Sequence, residues 1–182
     1  MKTKFVLILF LIILSINATA FASENTTVIP GLGTLVFPPD CKVLPYQHML
    51  DTNAVGNTLL VSDNKILRSI NLAFLPIRNA DRIKFKTNIN GLTSLFNALH
   101  TSMDKRYNAR ILSSSPIISS SLDNEQFPVD SVIMLMNNTA VRMDSYILDG
   151  ADGLIGMIAT YADCDSNYWL PRMEKMIAEI KR

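Results

Sequence analysis

Residues 132–161, VIMLMNNTAVRMDSYILDGADGLIGMIATY, decide how this chain is to be folded on paper. Three apolar runs of strand length are separated by two turn signals. Asn137-Asn138 accepts the left-handed backbone of a tight hairpin, and Asp149-Gly150-Ala151-Asp152-Gly153 holds two Asp-Gly pairs. Connections this short make the strands antiparallel neighbours, so the stretch reads as a meander. In the middle run Val141, Met143, Ser145 and Ile147 fall on one face, with Arg142, Asp144 and Tyr146 on the other.

Working outward, residues from about Asn167 to Lys181 read as a helix whose apolar stripe is Trp169, Met173, Met176, Ile177 and Ile180. Pro171 is tolerated in its first turn, and Asp165 is placed to cap it. Upstream of the meander, Leu92, Leu95, Phe96, Leu99, Met103 and Tyr107 recur at three- and four-residue steps, predicting a second amphipathic helix over 90–110. Ser113 to Asp123, serine-rich and broken by Pro116, reads as a loop or irregular edge strand. Earlier still, Gly33–Phe37, Cys41–Tyr46, Thr58–Ser62 and Lys65–Leu75 read as extended, and Ser23–Pro30 as a frayed polar segment. Two amphipathic helices need a surface to bury against, and one side of the sheet is the economical choice. The expected fold is therefore α+β, a two-layer sandwich of a mainly antiparallel sheet with both helices on one face.

The N-terminus carries a separate signal. Lys2 and Lys4 precede an apolar run from Phe5 to Ile16, and Ala20-Phe21-Ala22 supplies a small-x-small cleavage site. The run is shorter than the ~20 residues of a membrane span, so residues 1–22 are expected to be a removed signal peptide and residues 23–182 a single domain. Losing Lys2 and Lys4 takes Lys plus Arg from 17 to 15 against 16 acidic residues, a net charge of −1. A near-neutral chain with scattered charges lacks the footprint of a nucleic-acid binder and the polybasic patch of a membrane-surface protein. The mature chain is accordingly expected in the periplasm or secreted space, without membrane insertion.

An even cysteine count in an oxidising compartment points to a disulfide between Cys41 and Cys164. Asp40 beside the first, and Asp163 and Asp165 around the second, disfavour the thiolate. A structural bridge or two buried thiols fit better than a reactive pair.

From the early strand ending in Phe37-Pro38-Pro39-Asp40 to the meander and the step from Tyr161-Ala162-Asp163 into the helix carrying Trp169 and Ile177, the layout resembles the PsbP-like superfamily of small α+β domains. That resemblance implies an accessory or binding domain, often exported, with no catalytic site shared across the family. The serine-rich segment before the meander departs from it.

Motifs for chemistry dissolve on inspection. Ser102-Met103-Asp104-Lys105 and Ser62-Asp63-Asn64 spell fragments of penicillin-recognising enzymes. The first lies late in its predicted helix, the second precedes it, and no K-T-G exists. His48 and His100 are the sole imidazoles, and no G-x-S-x-G is present. Asp149, Asp152, Asp163 and Asp165 are the best calcium candidates, yet ordinary turn and cap chemistry explains them. No metal, cofactor or catalytic residue is assigned. The leading expectation is a non-catalytic domain that binds a protein partner or envelope component. A carrier of a small apolar ligand, held near Phe96, Met157 and Met173, is the second reading. A hydrolase assembled from distant residues, such as His48 with a serine and a carboxylate, is the third.

Overall fold

A computed structural model describes residues 25–45, 57–63, 68–78, 109–115 and 129–180, together with Asn90, Gly91, Thr93, Ser94, Phe96, Asn97, His100 and Thr101. Nine strands dominate: β1 (Asn25–Ile29), β2 (Gly33–Phe37), β3 (Cys41–Pro45), β4 (Asn57–Asp63), β5 (Ser69–Arg78), β6 (Arg110–Ser115), β7 (Asp130–Met136), β8 (Thr139–Gly150) and β9 (Gly153–Ala162). A 3-10 turn (Asp163–Asp165) leads into the helix α1 (Ser166–Ala178). Strands β3-β4-β5-β9-β8-β7-β6 form one sheet in that order, antiparallel throughout, and β1 and β2 pair separately as a hairpin.

The expected meander is present with its turns. Asn137 and Asn138 adopt φ of 48° and 64°, the left-handed pair that a two-residue hairpin needs. The α1 stripe also holds, with Trp169, Met173, Met176 and Ile177 all buried.

Six successive residues of β8, Met143 to Leu148, are buried. Neighbours in a strand point to opposite faces, so this strand must be covered on both sides. On one face Tyr146 and Leu148 join Ile70, Leu72 and Phe74 of β5 and Met157, Ala159 and Tyr161 of β9. That face is roofed by Trp169, Met173, Met176 and Ile177 of α1, and by Ile29, Leu32, Leu35 and Phe37 of the β1–β2 hairpin. On the other face Met143 packs with Val132, Met134 and Ala109, and with half-buried Met136 and Ile158. Each large side chain removed from water in these clusters contributes roughly 1.5–3 kcal/mol.

The predicted two-layer sandwich with two helices on one face is thereby corrected. Strands dominate the described residues, α1 is their one complete helix, and it shares its face with a hairpin. The described residues between 90 and 101 are helical. They reach the opposite face, where His100 bonds Asp130, the cross-strand partner of Ser145. The chain has also left the helix by Ala109, and Arg110 already belongs to β6. The physical reason lies in β8: α1 and the hairpin cover its Arg142, Asp144 and Tyr146 side, and its Met143 and Ser145 side is buried as well, so cover is needed on two faces rather than one. Ser23–Pro30 was read as frayed, but Asn25–Ile29 pairs residue for residue with β2.

The two turns at one end of the sheet meet closely. The Ala151 N–H donates to the Gly31 carbonyl at 2.6 Å. A Cβ on Gly150 would sit 2.8 Å from the carbonyl oxygens of Gly31 and Gly153, whereas one on Gly156 would find its nearest atoms at 3.7 and 3.8 Å. Gly150→Ala is therefore expected to destabilise by about 1–3 kcal/mol. Gly156→Ala, with room and a less flexible unfolded chain, is expected to be neutral or to stabilise by about 0.4–1 kcal/mol. Urea unfolding midpoints of the two variants check this, and equal effects would contradict the close approach of the turns.

Candidate functional site

Four places in the structure collect chemistry, and each asks whether its groups are free to act. The first is Asp144, fully buried on the α1 side of β8. Ser131 Oγ donates to its Oδ1 at 2.5 Å, the Arg142 Nε donates to Oδ1 and Oδ2 at 3.0 and 3.1 Å, and the Tyr161 hydroxyl donates to Oδ2. The ladder explains the convergence, because Asp144 faces Ser131 on β7 while Arg142 faces Tyr161 on β9. Desolvation first, and the bonded carboxylate second, hold the Tyr161 hydroxyl firmly protonated. Burial and the attraction of Asp144 act oppositely on Arg142, and the guanidinium stays charged. A carboxylate that is fully buried and accepts from three donors is a structural node.

The second is the His100–Asp130 pair, 2.9 Å apart and buried on the opposite face. Ser145 lies directly across the ladder from Asp130, giving the three residue types of a hydrolase triad. Its Oγ, however, is buried and without a hydrogen-bond partner among the described residues, so the serine does not join the pair. Nucleophile and base must be within hydrogen-bond reach for that chemistry. His48, the other histidine, lies outside the described residues, as do Ser102 to Lys105 and Asn64. The pair ties the helical residues to β7.

The third lies where β3, β5 and α1 meet. The Tyr168 ring sits between two guanidiniums, with Arg68 Cζ 4.6 Å and Arg172 Cζ 3.7 Å from its centroid. Arg68 bonds Asp165 at 2.9 Å, Arg172 reaches Asp40 at 3.6 Å, and the Tyr168 hydroxyl donates to Asp40 at 3.4 Å. Asp165 does occupy the helix-capping position, but its carboxylate bonds Arg68 rather than the helix. Cations on the aromatic faces and paired carboxylates make this a clamp on α1.

Cys41 adjoins the clamp as a buried free thiol; Cys164, in the 3-10 turn, is exposed and likewise free. No bridge links them in this structure. Burial, reinforced by Asp40 with its carboxylate 3.9 Å from Sγ, pushes the Cys41 thiol up to about 11. Of the aspartates considered for calcium, Asp149 is paired within β8, Asp152 is in the β8–β9 turn, and Asp163 and Asp165 are in the 3-10 turn. No group of three metal-binding side chains converges among the described residues. Met157 and Met173 are 2% and 0% exposed inside the packed core. A cleft of about 230 Å³ lies elsewhere, beside Pro30, Gly31, Pro76, Ile77, Leu154 and Ile155.

The fourth place is an edge rather than a cluster. Among the described residues, strand β6 closes the sheet on one side, and all six of its residues are exposed, including Ile111 at 41% and Leu112 at 47%. A bulge at Leu112 shifts the register between Ile111 and Ser113. The opposite edge, β3, is guarded. It carries exposed Lys42 and a proline, and the Asn25 side chain donates to the Cys41 carbonyl. Charge, proline, a bulge and cover are the usual protections of an edge. β6 has one charge, Arg110 at its start, and the bulge, but no proline, and all six of its residues lie uncovered. The sequence reading puts Arg110 in a helix and Ser113 to Asp123 in a loop or irregular edge strand, and only Ser113 to Ser115 of that stretch lie in β6.

Comparison with protein families, curated proteins and solved structures finds no match to this chain. Among the described residues, no helix is long and apolar enough to cross a membrane.

The raised Cys41 thiol has a signed consequence. An unfolded chain loses this proton near pH 9 and the folded chain near 11, so the stabilisation is full below 9 and declines as pH rises to 11. Urea midpoints between pH 9 and 10 are expected to fall for the parent and less steeply for Cys41→Ala, by up to roughly 1.4 kcal/mol per pH unit. Iodoacetamide at pH 8 is expected to label Cys164 and spare Cys41. Equal slopes, or labelling of Cys41 in the folded chain, would contradict the buried thiol.

Proposed function

We propose that this is an exported, non-catalytic domain that works by docking a protein partner on the β6 edge. The observation that carries the reading is the contrast between the two edges of one sheet: β3 is guarded, while β6 exposes its whole length and two large apolar side chains. An edge strand offers a row of backbone donors and acceptors that an extended segment of another chain can complete. The polar groups elsewhere support this by their occupation. Asp144, Asp130 and Asp40 each bond groups of the protein itself. The PsbP-like resemblance points the same way, toward an accessory domain. Export rests on the N-terminal sequence pattern, in residues outside those described.

One experiment addresses both parts. The full chain is expressed in its own cell type with a photo-crosslinking residue at Leu112, or at Val28, which is 71% exposed on the β1–β2 hairpin. After illumination, the secreted or periplasmic fraction is expected to yield a protein adduct from position 112 and none from position 28, on a chain whose mass begins at Ser23. Equal adducts at both positions, or none at 112, would overturn edge docking. Retention of residues 1–22 would overturn export.

A further inference from the structure

We propose that the occupant of the β6 edge is a second copy of this chain, paired antiparallel about a two-fold axis that passes between Leu112 and Ser113. The inference rests on the reading of β6 as the docking edge and names its partner.

Self-pairing sets a demanding condition, because opposite residues must share a face and like charges must not meet. In a regular strand, residues 110 and 115 project to opposite faces, their separation being odd. The bulge at Leu112 removes that mismatch. Arg110 pairs with Leu135 and Ser115 with Ser131, positions of β7 that lie on one face; Ile111 pairs with Met134 and Ser114 with Val132, both on the other. An axis normal to the sheet between Leu112 and Ser113 therefore sets Arg110 opposite Ser115 of the second copy, and Ile111 opposite Ser114 of the second copy. Each pair then meets like face to like face.

Charge agrees with this register. Arg110 is the only charged residue of the strand, and the axis sends the two arginines to opposite ends of the paired strands. The uncharged Ser113, Ser114 and Ser115 oppose the residues that carry bulk or charge, so neither side-chain size nor repulsion holds the strands apart. Pairing also covers part of Ile111 and Leu112 of both copies, the exposed large apolar residues that flank the axis. The two sheets become one, and the exposed edge disappears.

The mature chain in solution tests this by sedimentation equilibrium. Wild type is expected to dimerise, and Leu112→Glu and Leu112→Lys, each placing like charges beside the axis, to weaken the dimer at least ~10-fold. An equimolar mixture of the two variants is expected to recover a one-to-one dimer, which also shows that both remain folded. A wild-type monomer at high concentration, or a dimer unmoved by either charge, would overturn the inference. A crosslink from position 112 to a different protein, with the chain itself monomeric, would overturn self-pairing while leaving edge docking intact. No adduct from 112 at all would overturn both.

Discussion

The double burial of β8 is the constraint from which the rest of the architecture follows. Six consecutive buried residues leave no solvent side on the strand, so the chain must supply cover for two faces. It does so with unlike materials: α1 and the β1–β2 hairpin on one face, and His100 and Ala109 from the segment before β6 on the other. Burial of Asp144 in the middle of this strand would be costly if the carboxylate were alone. Ser131 and Tyr161 offset that cost from the two neighbouring strands, and Arg142 from β8 itself. Breaking one partner would leave an uncompensated group in the core, which makes the network a device for fixing strand register.

The same constraint orders the charged groups among the described residues. Each conspicuous charged group serves an attachment. Asp144 joins three strands, Asp130 holds the helical residues through His100, and Asp40 and Asp165 secure α1 through Arg172 and Arg68. Among the described residues these ionisable side chains hold layers together, while β6 exposes its whole length.

The meander, its Asn137-Asn138 turn and the α1 stripe were legible in the sequence because they are local. A two-residue turn and a 3.6-residue period are written within a dozen positions. The side of β8 that turns inward was not legible. Arg142, Asp144 and Tyr146 look like a solvated face until Ser131 and Tyr161, 13 and 17 residues from Asp144, arrive to bond the carboxylate. β1 was missed for a similar reason, since Asn25-Thr26-Thr27-Val28-Ile29 buries only Ile29 and gains its strand from pairing with β2. The candidate site was half visible. Serine content and Pro116 left Ser113 to Asp123 open between a loop and an irregular edge strand, and the cover on β3 and the bulge at Leu112 depend on which strands are neighbours.

Native-state hydrogen exchange tests the central claim most directly. With β8 covered on both faces, the amides of Asp144 to Leu148 are expected to exchange only through global unfolding, at the slowest rates in the chain. Those of β1, in the outlying two-stranded hairpin, are expected to exchange through local opening well before that limit. Exchange of the β8 amides as fast as those of β1 would contradict an architecture organised around a doubly buried strand.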